Sequence, residues 1–239
     1  MRAMVLAAGR GERMRPLSDR APKPLLSVGG KPLIGHLLDG LARAGIREVV
    51  INLSWLGAQI REALGDGAAY GVHIVYSEEG PVALETGGGV LHALPHLGAE
   101  PFLVVSGDIW TEFDFGRLTL DAEADARIVL VPNPPFHPRG DFALDGDRVV
   151  ERAGETLTYA NIGLYRPELF AGCSPGRFPL VTLLRRAIAA GRLRGELYNG
   201  GWMNIGTPEQ LAMLDARLTE PERATGGTPE AASRPRAGR

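Results

Sequence analysis

The sequence predicts a three-layer α/β fold, with a mixed, mainly parallel sheet and helices on both faces. Two observations predict this fold. Short apolar runs rich in β-branched residues alternate with amphipathic helical patterns through the first half of the chain, as in repeated strand–helix units. Glycine-rich or acidic stretches follow several of these runs, at the carboxyl ends of strands where Rossmann-like sheets bind their ligands.

The predicted elements of the first half alternate between strand and helix. The apolar run 3–8 has the length and composition of a buried strand. Apolar residues at helical spacing, followed by Gly45 as a stop signal, predict a helix over 32–44. The remaining predicted strands are 48–53, 72–76 and 102–105, and the remaining predicted helices are 55–64 and 88–97.

The second half is less regular. We predict two short strands around the Asp145-Gly146-Asp147 turn, strands over 160–165 and 197–205, and a helix over 180–190. Thr207 as N-cap and Pro208 at the first helical position predict the start of a final helix. We interpret 1–218 as one domain, and 219–239, which has almost no large apolar residues, as a disordered tail.

Composition narrows the class of protein. The formal net charge is −2, so the chain lacks the basic excess typical of nucleic-acid-binding proteins. It has neither an apolar stretch of membrane-spanning length nor a signal peptide, and its single cysteine, Cys173, excludes an internal disulfide. We therefore expect a cytoplasmic enzyme that is a monomer or a weak homo-oligomer, with neither nucleic acid nor membrane as a partner.

The N-terminal segment carries a phosphate-binding pattern. Gly9 and Gly11 follow the first predicted strand, and a backbone without side chains can approach a phosphate closely. Arg13 adds forked donors that match phosphate oxygens. Lys23, one of only two lysines in the chain, lies between two prolines that stiffen the backbone. A fixed cation beside a phosphate-binding loop is typical of phosphoryl or nucleotidyl transfer.

Two other phosphate-binding motifs fit less well. A P-loop needs two glycines five positions apart followed by Lys-Ser/Thr, and this segment has no such pattern. The dinucleotide-binding fingerprint needs a third glycine where this chain has Met14. A nicotinamide-dependent reductase therefore stays an alternative that lacks part of its signature.

The whole N-terminal string, with Pro16 and Pro22-Lys23-Pro24-Leu25 at these spacings, resembles the signature of the sugar-1-phosphate nucleotidylyltransferases. The resemblance implies the fold of nucleotide-diphospho-sugar transferases, a nucleoside triphosphate and a sugar 1-phosphate as substrates, and Mg²⁺ as cofactor. By motif position it implies catalytic roles for Arg13 and Lys23. It also implies that the nucleotide is bound by Leu6, Ala7, Ala8, Gly9 and Gly11.

Two positions correspond to the metal ligands of that family. Asp108 follows the strand predicted over 102–105; taken alone it could be a turn former, and the resemblance makes it a Mg²⁺ ligand. The segment from Trp202 to Thr207 resembles the family pattern W-x-D-x-G-T, with Asn204 in place of the aspartate. An amide oxygen can still bind Mg²⁺ but brings no charge. A catalytically inactive nucleotide-sugar sensor is therefore an alternative.

The nucleotide base has candidate ligands at two positions. The segment from Glu85 through Thr86 and Gly87 is either a flexible loop with Thr86 as N-cap or a base-binding loop. Asn52, at the end of a predicted strand, either binds the base or ribose or caps the following helix.

The resemblance also implies a sugar site that includes Gly140, Glu151 and Asn161. Within the family, the strings INLSWLG, LETGGG, SGDIW and NPPFHPRGDF are most similar to those of uridylyltransferases, so UTP is the expected nucleotide. Glucose or mannose 1-phosphate, with another nucleotide, are the alternative substrates.

Overall fold

A computed structural model describes residues 1–151 and 154–219 of the chain. Its strands are β1 (Arg2–Leu6), β2 (Ser27–Val28), β3 (Lys31–Pro32), β4 (Glu48–Leu53), β5 (His73–Glu78), β6 (Phe102–Ser106), β7 (Ile109–Thr111), β8 (Ala126–Val131), β9 (Ala143–Asp145), β10 (Arg148–Val150), β11 (Thr158–Tyr165), β12 (Leu193–Leu197) and β13 (Trp202–Asn204). Its helices are α1 (Leu17–Arg20), α2 (Leu33–Arg43), α3 (Gly57–Leu64), α4 (Glu85–Leu97), α5 (Val181–Ala189) and α6 (Pro208–Thr219).

A nine-stranded mixed sheet forms the centre of the fold, in the order β5-β4-β1-β6-β11-β8-β12-β10-β9. The first four strands of this order are parallel, so their carboxyl ends lie at one edge. The chain runs from β1 outward to β4 and β5, and then returns to β6 on the other side of β1. Such a reversal of strand order opens a crevice at the carboxyl edge, where ligands bind.

Helices cover both faces of this sheet. Apolar residues of α2 and α3 pack in one buried cluster with one face of β1 and β4, and those of α4 and α5 pack in a second cluster on the other face. A third, smaller cluster joins α6 to the β2–β3 hairpin and to β13. The predicted three-layer α/β fold is confirmed.

Several predicted boundaries differ from the structure. The predicted strand 48–53 coincides with β4. The apolar run 3–8 forms a strand only to Leu6, because Ala7 and Ala8, although buried, already belong to the loop that leaves the sheet. The helix predicted over 88–97 begins earlier, at Glu85, so that the predicted loop is its first turn.

The strand predicted over 197–205 is wrong as a single element. The chain leaves β12 at Leu197 and reaches β13 at Trp202, across the glycines Gly200 and Gly201. The two strands belong to different sheets, since β12 pairs with β8 in the central sheet and β13 pairs with β7 in a small two-stranded one. The sequence analysis also did not predict β8, a strand that is almost entirely buried in the structure.

The final helix begins as the sequence predicts. Thr207 Oγ1 accepts a hydrogen bond from Gln210 N at 3.3 Å, and Gln210 Oε1 accepts one from Thr207 N at 3.1 Å, which is a reciprocal capping box. The helix includes Thr219, the first residue of the predicted tail. The rest of the predicted tail, 220–239, lies outside the described residues. None of the helices described is long and apolar enough to span a membrane.

Candidate active site

A cavity of about 260 Å³ lies at the carboxyl edge of the parallel strands, beside β1 and β6. Most of the residues predicted from separate parts of the sequence meet on its wall, which also includes residues that the sequence analysis did not select. The predicted residues there are Leu6, Ala7, Ala8, Gly9, Gly11, Lys23, Asn52, Glu85, Thr86 and Asp108, and the additional ones include Glu79 and Ser106.

The two glycines of the N-terminal loop have different structural roles. Gly11 has φ +64°, a left-handed conformation that favours glycine, and Ser18 Oγ donates a hydrogen bond to its carbonyl at 2.8 Å. Gly9 has no positive φ, and no atom lies within 4 Å of the position that a Cβ would take. The fold therefore favours glycine at Gly11, whereas Gly9 leaves open space on the cavity side of the loop.

A charge pair lies on the cavity wall. Lys23 begins a short 3-10 turn, Lys23–Leu25, and its Nζ lies 2.6 Å from Asp108 Oδ2. The lysine side chain is 11% exposed and the aspartate side chain 31%, so both charges are partly withdrawn from water. A short, partly buried ion pair holds the ammonium group in a fixed position, where it can neutralise an incoming phosphate.

Asn204 lies beside Asp108 because β13 pairs with β7. In the register of this pair Asn204 is opposite Ile109, and Ile205 N donates to the carbonyl of Asp108 at 2.8 Å. Asn204 Oδ1 is buried and has no hydrogen-bond partner among the described residues. An unpartnered buried carbonyl is costly, and a hard cation would satisfy it.

This donor set fits Mg²⁺. The ion takes few carboxylates from a protein and completes its shell with phosphate oxygens and water. Asp108 supplies one carboxylate and Asn204 one neutral oxygen. Within residues 1–151 and 154–219, no cluster of three or more His, Cys, Asp or Glu side chains could hold a metal by itself. A metal at this position would therefore depend on the oxygens of its substrate.

Arg13 lies next to the turn that follows Asn204. It belongs to the 3-10 turn Glu12–Met14, and its side chain is exposed. Its Nη2 lies 3.3 Å from the position that a Cβ would take on Gly206. Arg13 forms no ion pair within the part of the chain that the structure describes. Among the described residues, no carboxylate therefore competes with a phosphate for the Arg13 guanidinium.

Asn52 links two loops of the cavity instead of capping a helix. Its side chain accepts a hydrogen bond from Ala7 N at 2.7 Å and donates one to Glu79 Oε1 at 2.6 Å. The other oxygen of Glu79 accepts from Leu84 N at 2.7 Å. Asn52 is only 2% exposed, so we interpret it as a bridge between the loop before α4 and the loop of residues 7–11, which we call the phosphate loop after its sequence pattern. Glu79 was missed, although it follows a parallel strand as Asp108 does.

Glu85 and Thr86 belong to the first turn of α4, and the flexible-loop interpretation is wrong. Glu85 has φ +62°, unusual for a residue with a side chain, and pairs with Arg177 Nε at 3.0 Å. The N-cap position is Leu84, not Thr86. Thr86 Oγ1 instead accepts a hydrogen bond from Leu180 N at 2.8 Å, which ties α4 to the segment before α5.

The three glycines of this turn allow close packing. A Cβ at Gly87 would lie 2.4 Å from the Phe178 ring, and a Cβ at Gly89 would lie 2.5 Å from Glu79 Oε1. Gly87 N donates to the carbonyl of Phe178 at 2.9 Å, so this N–H group is engaged within the protein. Gly87 is absent from the wall of the 260 Å³ cavity, and its predicted contact with the base stays a prediction.

A second cavity of about 120 Å³ shares Leu6, Thr86 and Ser106 with the first, and Asn161 lies on its wall. Asn161 has φ +59° and falls where the β11–β8 register shifts between Tyr159 and Gly163. Such a bulge redirects a side chain at the edge of a site. The structure thus brings Asn161 next to the 260 Å³ cavity.

Tyr159, on the wall of the second cavity, forms a buried phenol pair with Tyr165 behind it. The hydroxyls of Tyr159 and Tyr165 lie 2.6 Å apart, and burial raises the pKa of both groups. Both tyrosines are therefore neutral at physiological pH. Tyr159 therefore contributes a neutral side chain, not a charge, to the cavity wall.

The other two predicted sugar ligands are not brought to these cavities. Gly140 has φ +53°, and a Cβ there would lie 2.6 Å from Asn133 Oδ1 and 2.8 Å from the carbonyl of Leu157. Glu151 pairs with Arg185 Nε at 3.4 Å. Neither residue lies on the described walls of the two cavities, and their contacts with a sugar stay predictions.

A larger cleft of about 510 Å³ adjoins Asn204 from the side of the proline-rich loop. Its wall includes Phe136, Trp202 and Met213 and, among the described residues, no charged side chain. A phosphate needs cationic or N–H donors, so this cleft is less suited to a phosphate than the cavity beside Lys23.

Comparison with known proteins identifies the class. The family model of nucleotidyl transferases matches residues 2–144. The chain therefore belongs to the nucleotidyl transferase family, and the resemblance found in the sequence is confirmed.

Two relatives match nearly the whole chain. The N-acetylmuramate alpha-1-phosphate uridylyltransferase of Neisseria meningitidis is 50% identical over 225 residues, which cover 90% of this chain and 97% of that protein. The enzyme of the same name from Caulobacter vibrioides is 38% identical, over 91% of this chain and 97% of its own.

A solved structure has the same fold. A protein of Bacillus anthracis assigned as a glucose-1-phosphate thymidylyltransferase matches with a TM-score of 0.82 at 22% identity, over 92% of this chain and 96% of that chain.

Proposed function

We propose that this protein transfers UMP from UTP to N-acetylmuramate α-1-phosphate, which gives UDP-N-acetylmuramate and pyrophosphate for peptidoglycan recycling in the cytoplasm. The observation that carries the reaction type is the Lys23–Asp108 pair on the wall of a cavity that the Gly9–Gly11 loop also lines. The choice of nucleotide and acceptor is supported by the names of the Neisseria and Caulobacter relatives.

The proposed reaction is a single in-line displacement. An oxygen of the sugar phosphate attacks the α-phosphorus of UTP, and the bond from that phosphorus to the bridging oxygen of the β-phosphate breaks. Pyrophosphate leaves with the electron pair of that bond. The attacking oxygen is already anionic, so the reaction requires neither a general base nor a covalent enzyme intermediate.

The side chains of this chain position and neutralise the phosphates. Lys23 is held on a proline-stiffened turn and stabilises the charge that develops on the transferred phosphoryl group. Arg13, from the other side of the site, pairs with phosphate oxygens through its forked N–H groups. The open backbone at Gly9 lets the triphosphate lie against the loop.

Asp108 and Asn204 are the residues that would hold Mg²⁺. When bound, the ion supplies charge neutralisation and fixes the geometry of the triphosphate. With one carboxylate and one amide, the protein contributes a single negative charge. We therefore propose that the metal enters together with the nucleotide, whose phosphates supply the remaining negative oxygens.

The lactyl carboxylate of the acceptor needs a partner, because an unpaired buried charge is costly. We propose Arg139, whose side chain is exposed on the proline-rich loop, as that partner. Arg139→Gln should raise the KM for N-acetylmuramate 1-phosphate and leave the KM for UTP unchanged.

The test is pyrophosphate release with UTP and a panel of acceptors. We expect N-acetylmuramate 1-phosphate to be preferred over glucose 1-phosphate and N-acetylglucosamine 1-phosphate. Equal rates on all three would refute the acceptor and leave the reaction type standing. A preference for glucose or mannose 1-phosphate with another nucleotide would support the alternative substrates. Tight binding of UTP or UDP-sugar without turnover would support the inactive sensor.

A further inference from the structure

The turn between β4 and α3 makes side-chain contacts that the proposed reaction does not use. Trp55 Nε1 donates a hydrogen bond to the carbonyl of Ser18 at 3.0 Å. The guanidinium carbon of Arg10 lies 4.5 Å above the centre of the Trp55 ring. On the other side of the turn, Ser54 Oγ donates to the carbonyl of Gly80 at 3.0 Å.

The backbone of this turn is strained. Leu56 has φ +52°, which is unfavourable for a bulky side chain. A Cβ at the next residue, Gly57, would lie 2.8 Å from Leu53 Cβ, so the chain can turn this tightly only with glycine there. Strain of this kind persists only where the surrounding contacts hold it, and it clusters at functional sites.

Trp55 holds the phosphate loop at two points. Ser18, which is 1% exposed, receives the indole N–H at its carbonyl and in turn donates through Oγ to the carbonyl of Gly11. Arg10 lies between the two glycines of the loop, and its cation rests on the indole face. The indole thus connects to both Arg10 and Gly11 across the loop that lines the cavity.

We propose that Trp55 is a positioning residue for the triphosphate. It holds the Gly9–Gly11 loop in its binding shape before the nucleotide arrives, through the Arg10 stack and the Ser18 hydrogen bond. A loop without these contacts must be ordered during binding, and that cost appears as lost affinity. This inference rests on the proposed function only in taking the loop as the triphosphate site.

The first test is Trp55→Leu, measured by calorimetry with two probes, UTP and inorganic triphosphate, each with Mg²⁺. Loss of one exposed cation–π contact and one hydrogen bond should raise the Kd of both probes by about tenfold. Because the loop affects bound substrate and transition state alike, KM for UTP should rise and kcat should stay nearly unchanged.

Two further variants separate the contacts. Trp55→Phe retains a ring face for Arg10 and loses the N–H donor, so its Kd should lie between those of the wild type and Trp55→Leu. Arg10→Gln should weaken triphosphate binding in the wild type but have much less effect in the Trp55→Leu background. If Arg10→Gln has its full effect in that background, Arg10 acts directly on phosphate and the positioning role is overturned.

The chain offers a matched control. Arg217 lies 4.6 Å above the ring of Trp110, a stack of the same kind outside the phosphate loop. Arg217→Gln should leave the affinity for inorganic triphosphate unchanged. An equal loss of affinity in Arg217→Gln, or a lowered melting temperature in Trp55→Phe and Trp55→Leu with an unchanged Kd, would show that Trp55 is only structural.

The inorganic probe keeps this inference separate from the proposed reaction. If no acceptor supports turnover but triphosphate affinity still depends on Trp55, the proposed function fails and the positioning role stands. If turnover occurs and neither probe responds to Trp55→Leu or Trp55→Phe, the positioning role fails and the proposed function stands.

Discussion

The substitution Gly9→Ala tests whether glycine at this position is needed for the fold or for binding of the triphosphate. No atom lies within 4 Å of the position that the new methyl group would take, and the backbone there has no positive φ. The substitution should therefore be tolerated by the empty protein. If the triphosphate lies against this loop, the same methyl group takes up space that phosphate oxygens need.

Gly9→Ala should have opposite effects on the stability of the protein and on its affinity for UTP. A Gly→Ala change at a compatible backbone position stabilises by about 0.4–1 kcal/mol, so the melting temperature should stay level or rise by roughly 1–4 °C. An extra methyl group in a closely packed contact costs about 1–3 kcal/mol, which is roughly a fivefold to hundredfold rise in the Kd for UTP.

The assay combines thermal melting with UTP calorimetry. Gly11→Ala is the contrasting variant. Gly11 has φ +64°, and a Cβ there would lie 3.3 Å from Lys23 Cβ, so this substitution should lower the melting temperature, unlike Gly9→Ala. A Gly9→Ala protein that binds UTP with wild-type affinity would refute the placement of the triphosphate against this loop.

Four other outcomes can be measured. Lys23→Ala should lower kcat about a hundredfold or more in steady-state kinetics, since one preorganised charge contact contributes about 3–4 kcal/mol; near-normal turnover would remove Lys23 from the mechanism. Asn204→Asp should lower the Mg²⁺ concentration for half-maximal rate, and an unchanged requirement would place Asn204 away from the metal. Gly89→Ala should lower the melting temperature although alanine is favoured inside helices by about 1 kcal/mol, because its methyl would lie 2.5 Å from Glu79 Oε1; a raised melting temperature would contradict this packing. Truncation after Thr219 should leave the melting temperature and turnover unchanged, and a fall of several degrees would show that 220–239 stabilises the domain.

The parts of the fold that local pattern determines were predicted well. The strand 48–53 and the capped start of α6 follow from hydrophobic runs and capping residues that act within a few positions. The pairing of β13 with β7 could not be predicted, because it joins Asn204 to Ile109, which are far apart in the sequence. The positive φ of Glu85 is likewise imposed by tertiary contacts and has no sequence signal.

The site was predictable where it rests on a contiguous motif. The N-terminal string placed Gly9, Gly11 and Lys23 on one cavity wall, as the structure shows. Asn52 lies on the same cavity wall, but its bridge to Glu79 depends on the spatial order of β4 and β5, which sequence spacing alone does not give. In the sequence, the three glycines after Thr86 are equally consistent with a flexible loop and with close packing. Only the positions of their neighbours in the structure distinguish the two.

The ion pair between Lys23 and Asp108 also bears on the order in which ligands arrive. Asp108, the carboxylate proposed to bind the divalent ion, is already paired with an ammonium group 2.6 Å away. A bare cation must displace that ammonium and meets its repulsion, whereas a metal that arrives with a polyphosphate brings a competing anion for the lysine. We therefore expect free Mg²⁺ to compete poorly for the empty site, so that the enzyme responds to the concentration of the metal–nucleotide complex instead of to that of the free ion.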